Sequence, residues 1–240
     1  MPNIYNPFRN VNSMIPTTRT GAIRSLKPTI KVSYFEDHEI EAIFEAINKR
    51  ITTEKGNRSL FAMRYRLLLK TLLRTGARIE EVVRYERKEY VDTQGKVHKY
   101  QFFPGIVVKD IDTTLNTISI LTLKKSGGKP HRILPLHPDL KDEFLGYSHE
   151  MRNRLPFGPK DPLFPMSRVA VDHFMTRLER DLGFRVNAHK FRHTFAVRAL
   201  LDGVPVNVLQ KWLAHSSLIV TSVYADVVGM DTSSFMNQMH

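Results

Sequence analysis

The apolar residues of this chain recur at helical spacing almost throughout, and one short stretch breaks that rhythm for the alternation of a β-hairpin. That contrast limits the fold class more than any other feature. Helical signals begin at Ser33, whose spacing from Glu36 fits a capping box, and Ile40, Ile43, Phe44, Ile47 and Ile51 follow on one face. A second apolar helix is predicted over about 59–74, stopping at Thr75-Gly76, and a third from near Arg78 through Val82 and Val83. From about Tyr85 to Gly105 the chain is polar, with turn residues at 92–95, and reads as a surface hairpin or flap. Ile106 to Ile111 reads as a short strand. Thr117 to Lys125 alternates, Ser126-Gly127-Gly128 forces a turn, and Arg132 to Leu136 returns as the partner strand, closed by Pro135 and Pro138. Helices then follow over about 138–152, 167–182, 188–202, 205–214 and 217–225. There is no internal repeat. The expected fold is mainly α with a small antiparallel β-sheet, an α+β architecture.

Charge narrows the partner. Lys and Arg number 36 against 24 Asp and Glu, a formal net charge of +12, so the surface attracts polyanions: nucleic acid first, an anionic membrane second. No apolar run approaches the roughly 20 residues that span a bilayer, and the start carries no signal-peptide core. With no cysteine, disulfide scaffolds, thiolate metal sites and cysteine nucleophiles are excluded. Before Val32 the chain carries Arg9, Arg19, Arg24, Lys27 and Lys31 without one acidic residue, and Pro2, Pro7, Pro16 and Pro28 interrupt any long helix. Such a segment is a frayed terminus or a basic arm for a phosphate backbone.

Four segments hold polar residues at tight spacing. In Thr75-Gly76-Ala77-Arg78-Ile79-Glu80-Glu81, Arg78 and Glu81 share a helical face, which alone fits a surface ion pair. Lys124-Lys125-Ser126-Gly127-Gly128-Lys129 places ammonium groups at a hairpin tip, either as solvated edge protection or as groups reaching a DNA groove. In Asn187-Ala188-His189-Lys190-Phe191-Arg192-His193-Thr194-Phe195, His189 and Arg192 lie on one face. His189 and His193 have the spacing of a zinc-protease helix, but Lys190 stands where its general-base Glu belongs. In Leu213-Ala214-His215-Ser216-Ser217, His215 could be a simple cap, and Tyr224, nine residues later, could be packing.

Taken together, Arg78, Lys125, His189-x-x-Arg192, His215 and Tyr224, in that order, resemble the tyrosine recombinase (phage integrase) family. The resemblance runs from Ser33 to Val228, the family's catalytic domain. It implies that fold, and a site-specific DNA recombinase that cuts and rejoins strands through a 3′-phosphotyrosyl link to Tyr224. A phenol with an ordinary pKa of about 10 is a weak nucleophile. Attack on a phosphodiester therefore needs a base and strong stabilisation of the charge on the non-bridging oxygens, for which guanidinium forks are suited. By resemblance Arg78 and Arg192 supply the forks, His215 donates a further hydrogen bond, His189 accepts or relays the phenolic proton, and Lys125 protonates the leaving 5′ oxygen. Lys129 and then Lys124 are the alternatives for the lysine, because the turn is longer than the family's. Glu81 would orient the cations, while Lys124, Lys129, Arg132 and Lys190 would contact DNA.

The resemblance implies neither metal nor ATP as cofactor. It implies a double-stranded DNA recombination site as partner, assembly as a homo-oligomer (a tetramer) on that DNA, and a prokaryotic or viral cytoplasmic setting without a membrane. Residues 1–32 are too few for the family's core-binding domain and would be a basic arm or its remnant; 33–228 are the catalytic domain. Residues 229–240 continue a stretch from Ala225 that has apolar side chains and no Lys or Arg, as expected of a tail docking on a neighbouring subunit. The rival readings are a type IB topoisomerase-like strand transferase and a sequence-specific DNA-binding protein with an inactive catalytic domain.

Overall fold

The computed structural model describes residues 32–123, 131–154 and 157–228. The basic arm before Val32, the hairpin tip with Lys124, Lys125 and Lys129, and the tail from 229 lie outside the described residues.

Helix α1 spans Asp37–Thr53, four residues later than the Ser33 start predicted from spacing. The capping box forms three residues on, with the Glu39 carboxylate accepting from the Glu36 amide at 3.0 Å. A distant contact decides this. The Phe35 amide donates to Thr194 Oγ1 at 2.8 Å, and the Phe35 ring packs against Phe184 and Phe191, which holds the preceding backbone extended. Helix α2, Asn57–Thr75, buries Leu60, Leu67, Leu68, Leu69 and Leu72 and lies against α1 and two later helices. It ends where Gly76 turns left-handed, with φ 60°. Helix α3 is one turn, Ile79–Val82.

The predicted flap is present as two short antiparallel ladders. Strand β1, Tyr85–Arg87, pairs with β4, Gln101–Phe103, and β2, Tyr90–Val91, pairs with β3, Val97–His98. Asp92 shapes its tip by accepting from the amides of Gln94 and Lys96, both at 2.9 Å.

The strand predicted over 106–111 does not form as such. Val107 makes one isolated bridge to Pro162, Val108–Asp110 coils into a 3-10 turn, and only Ile111 enters a strand. The amides that would extend the ladder are spent elsewhere: Ile106 donates to the Val82 carbonyl and Asp161 to the Gly158 carbonyl, so pairing stops at this one bridge. The three-stranded sheet runs β5 (Ile111–Asp112), β6 (Thr117–Leu121) and β7 (His131–Pro135), all antiparallel. Its register sets Ile118 opposite Leu134 and Ile120 opposite Arg132. Arg132 therefore shares the inward face of β7 with buried Leu134, while Ile133 stands outward.

Five helices complete the domain: α4 Pro138–Arg154, α5 Arg168–Leu182, α6 Ala188–Leu201, α7 Val206–Leu213 and α8 Leu218–Val228. One core joins α1, α2, α4, α5 and the three-stranded sheet, and a smaller one joins α6, α7 and α8. Helix α6 serves both, because Phe191 faces the first core and Ala196, Val197 and Leu200 the second. Among the described residues no helix is long and apolar enough to cross a membrane.

Candidate active site

Three of the four polar segments, those at 75–81, 187–195 and 213–224, meet where α6 crosses the end of α2. Asn187 caps α6, its side chain accepting from the Lys190 amide at 2.9 Å, and this fixes the first turn on which His189 and Arg192 sit. Arg192 is 5% exposed. Its Nη1 donates to the Gly76 carbonyl at 2.5 Å, and its Nη2 donates to the Leu213 carbonyl at 2.7 Å and to His215 Nε2 at 2.8 Å. One guanidinium thus ties the ends of α2 and α7 to α6. Burial and the nearby Arg78 push its pKa down to about 10, which leaves it cationic at neutral pH.

His215 reaches Arg192 through a left-handed residue. Ala214, with φ 51°, ends α7, and the His215 amide folds back to the Gln210 carbonyl at 3.1 Å. Because Arg192 can only donate, His215 Nε2 accepts, and Nδ1–H donates to Thr221 Oγ1 at 2.9 Å. That tautomer is neutral, and burial with Arg192 beside it lowers the imidazole pKa to about 4.

Arg78 occupies the N-cap position of α3 and donates from Nη1 to Glu81 Oε1 at 3.1 Å. Glu81, with no side-chain exposure, also accepts from the Arg78 amide at 3.0 Å and from Arg132 Nη2 at 2.7 Å. Burial disfavours the ionised carboxylate, but the Arg132 and Arg78 charges outweigh it and hold the pKa below its ordinary value. The ion pair expected at 78–81 is therefore half of a buried Arg–Glu–Arg bridge, not a surface pair.

Two expected DNA contacts are corrected here. Arg132 turns inward by strand parity and spends its guanidinium on Glu81, on the Trp212 carbonyl at 2.8 Å and on Thr122 Oγ1 at 3.1 Å. Lys190 is 8% exposed, bonds both Glu39 oxygens at 2.8 and 3.0 Å, and lies 4.3 Å from the Phe35 ring centre. Neither side chain offers free charge to a phosphate. Sequence spacing reports which face a residue shares, but not which distant carboxylate faces it.

Tyr224, on α8, is 5% exposed, and burial raises its pKa against the opposing pull of Arg192 and Arg78. Its hydroxyl is 2.9 Å from His193 Nδ1, and its ring lies parallel to His215 with centres 6.4 Å apart. His189 is exposed at the rim, its ring centre 6.2 Å from that of His193. Its pKa is lowered by partial desolvation and by Arg192. Arg78, Glu81, Arg192, His215 and Tyr224 are thus gathered at one place with His189 beside them, while Lys125, Lys124 and Lys129 lie outside the described residues. Sequence reasoning missed the roles of Thr221 and His193. The signal for His193 was present in its spacing of four from His189, which puts both rings on one face.

The profile of the phage integrase family matches residues 33–229. A tyrosine recombinase XerC of Listeria monocytogenes serovar 1/2a is 26% identical over 204 residues, covering 81% of this chain and 57% of the relative. The chain thus spans a little over half the length of the curated relatives it matches. Among solved structures, XerH site-specific recombinase bound to palindromic difH substrate superposes with a TM-score of 0.58 at 22% identity, over 82% of this chain and 50% of that one. The catalytic domain of bacteriophage HP1 integrase gives 0.50 at 18% identity, over 86% of this chain and 95% of that domain.

Proposed function

This chain belongs to the phage integrase family, and from that premise we propose that it is a site-specific DNA recombinase working through a 3′-phosphotyrosyl intermediate on Tyr224. The observation that carries the reading is the convergence of Arg78, Arg192, His215 and Tyr224 from α3, α6, the α7–α8 turn and α8. These groups suit an in-line attack on a phosphodiester. Arg192 is held rigidly by three acceptors, so its charge needs no reorganisation as the transition state gathers negative charge. Arg78 is aimed by Glu81, which fixes its guanidinium without neutralising the whole cluster, since Arg132 shares the same carboxylate. His215 accepts from Arg192 through Nε2. To donate to a phosphate oxygen it must be protonated or change tautomer, a step that an incoming anion favours.

In this reading Lys125 is the general acid for the leaving 5′ oxygen, with Lys129 and then Lys124 as substitutes, and duplex DNA carrying a recombination site is the substrate. Assembly on that DNA is as a homo-oligomer, a tetramer, with residues 229–240 docking between subunits. The test offers a nicked duplex, selected by covalent capture from random-sequence DNA, to the whole chain and resolves products on a denaturing gel. A protein–DNA adduct is expected from the wild type and none from Tyr224→Phe. Equal adduct from both would overturn the assignment.

A further inference from the structure

We propose that His193 is the proton acceptor for Tyr224: its Nδ1 receives the phenolic hydrogen bond at rest and takes the proton as the phenol oxygen attacks phosphorus. This rests on the strand-transfer reading above and moves to His193, a residue outside the expected catalytic set, the acceptor role that the resemblance implies for His189, leaving His189 as relay. The argument begins with what the phenol touches. Among the described residues, His193 Nδ1 is its hydrogen-bond partner, at 2.9 Å, within reach for direct proton transfer. His189 sits farther out, with its ring centre 6.2 Å from the His193 ring.

Chemistry favours the direction of transfer. Burial keeps Tyr224 protonated and keeps His193 neutral, the latter reinforced by His189 and Arg192, so a neutral O–H faces a neutral imidazole. An imidazole with its hydrogen on Nε2 accepts at Nδ1. Among the described residues, the charged and titratable groups around it are His189 and Arg192 on its own helix, and Tyr224 and His215 from the elements packed against it. Arg192, the cation in that set, opposes a second positive charge at rest. As the phenol turns to phenolate in the attack, that opposition is relieved.

The step balances without a co-reactant. The Tyr224 O–H bond breaks and its proton passes to Nδ1. The O–P bond forms, the P–O5′ bond breaks, and the 5′ oxygen takes a proton from the separate general acid proposed above. Rejoining runs the same transfers backward, so His193 ends neutral. His189 then stands as the outer member, able to pass charge between His193 and solvent.

The test uses the captured duplex with the wild type, His193→Asn, His193→Ala and His189→Ala, each checked by thermal melting. Asparagine places an oxygen close to the Nδ1 position, so it keeps the hydrogen bond but cannot take the proton. Adduct formation should fall about 10²–10⁴-fold in both His193 variants alike. The wild-type rate should rise with pH as His193 deprotonates, a limb absent from His193→Asn and retained in His189→Ala. Nitrogen-15 NMR of the histidine-labelled chain without DNA should show hydrogen on Nε2 of His193. A His193→Asn rate close to wild type, a limb lost in His189→Ala instead, or hydrogen on Nδ1 would each overturn the role. If the wild type captures no more DNA than Tyr224→Phe, the recombinase reading itself falls, and this role with it.

Discussion

Gly76 offers a measurable handle on how tightly the site is built. It is left-handed at φ 60°, it closes α2, and its carbonyl accepts from Arg192. A Cβ at this position would sit 2.4 Å from Phe195 Cδ1 and 2.7 Å from Leu213 Cδ2, far inside contact distance. Gly183 is a matched control: it too closes a helix in the left-handed region, at φ 78°, but a Cβ there meets nothing within 4 Å. Both alanine variants carry about 1–2 kcal/mol of backbone strain, offset by about 0.4–1 kcal/mol from the stiffer unfolded chain. Gly183→Ala should therefore cost about 1 kcal/mol. Gly76→Ala carries an added overpacking cost of about 1–3 kcal/mol, because Phe195 and Leu213 are pinned by α6 and α7. For a domain of this size that difference lowers Tm by about 2–12 °C relative to Gly183→Ala. Differential scanning calorimetry reads both values side by side. Melting temperatures within about 1 °C of each other would refute the packing argument.

Other outcomes follow from the same geometry. Glu81→Gln keeps the shape but strips the counter-charge from Arg78 and Arg132, and should cost about 3–5 kcal/mol in urea unfolding. Lys190→Met should lower stability by stranding the Glu39 carboxylate. It should leave the slope of log affinity for DNA against log salt unchanged, whereas a lost phosphate contact would reduce that slope by about 0.9. For pH, His215 titrates at about 4 in the folded chain against 6.5 unfolded, so below 6.5 the unfolded state binds the extra proton first. Stability should thus fall as pH drops from 6.5 toward 4, His189 and His193 adding to the same trend, and His215→Gln should flatten the decline in urea titrations at pH 7 and 5.

The elements that sequence reading placed well are those whose signal is local. The helices after Pro138 match to within a few residues because capping and apolar spacing sit inside each segment. Ser33 was misread as a cap, since the Phe35 amide is claimed by Thr194 on another helix. The strand expected at 106–111 fails because the Ile106 amide is claimed by Val82 and the Asp161 amide by Gly158, pairings that lie outside the segment's own pattern. At the site, residue types and order marked Arg78, His189, Arg192, His215 and Tyr224, all gathered in the structure. What the linear pattern lacked was pairing across the fold: it could not show Arg132 turned onto Glu81, Lys190 spent on Glu39, or His193 beneath the Tyr224 hydroxyl.

The closure of α1 on α6 also sets a schedule for making the protein. Glu39 and Lys190 are 151 residues apart, so on a ribosome adding about 5–20 residues per second the first helix waits about 8–30 s for its ion-pair partner. Throughout that interval Phe35 lacks the two rings it will lie against, and an apolar surface stays open to chaperones or to neighbouring nascent chains. Helix α8 leaves the exit tunnel after every other described helix. The cluster around Arg192 is therefore synthesised before the tyrosine reaches it, and a half-made chain carries no assembled nucleophile.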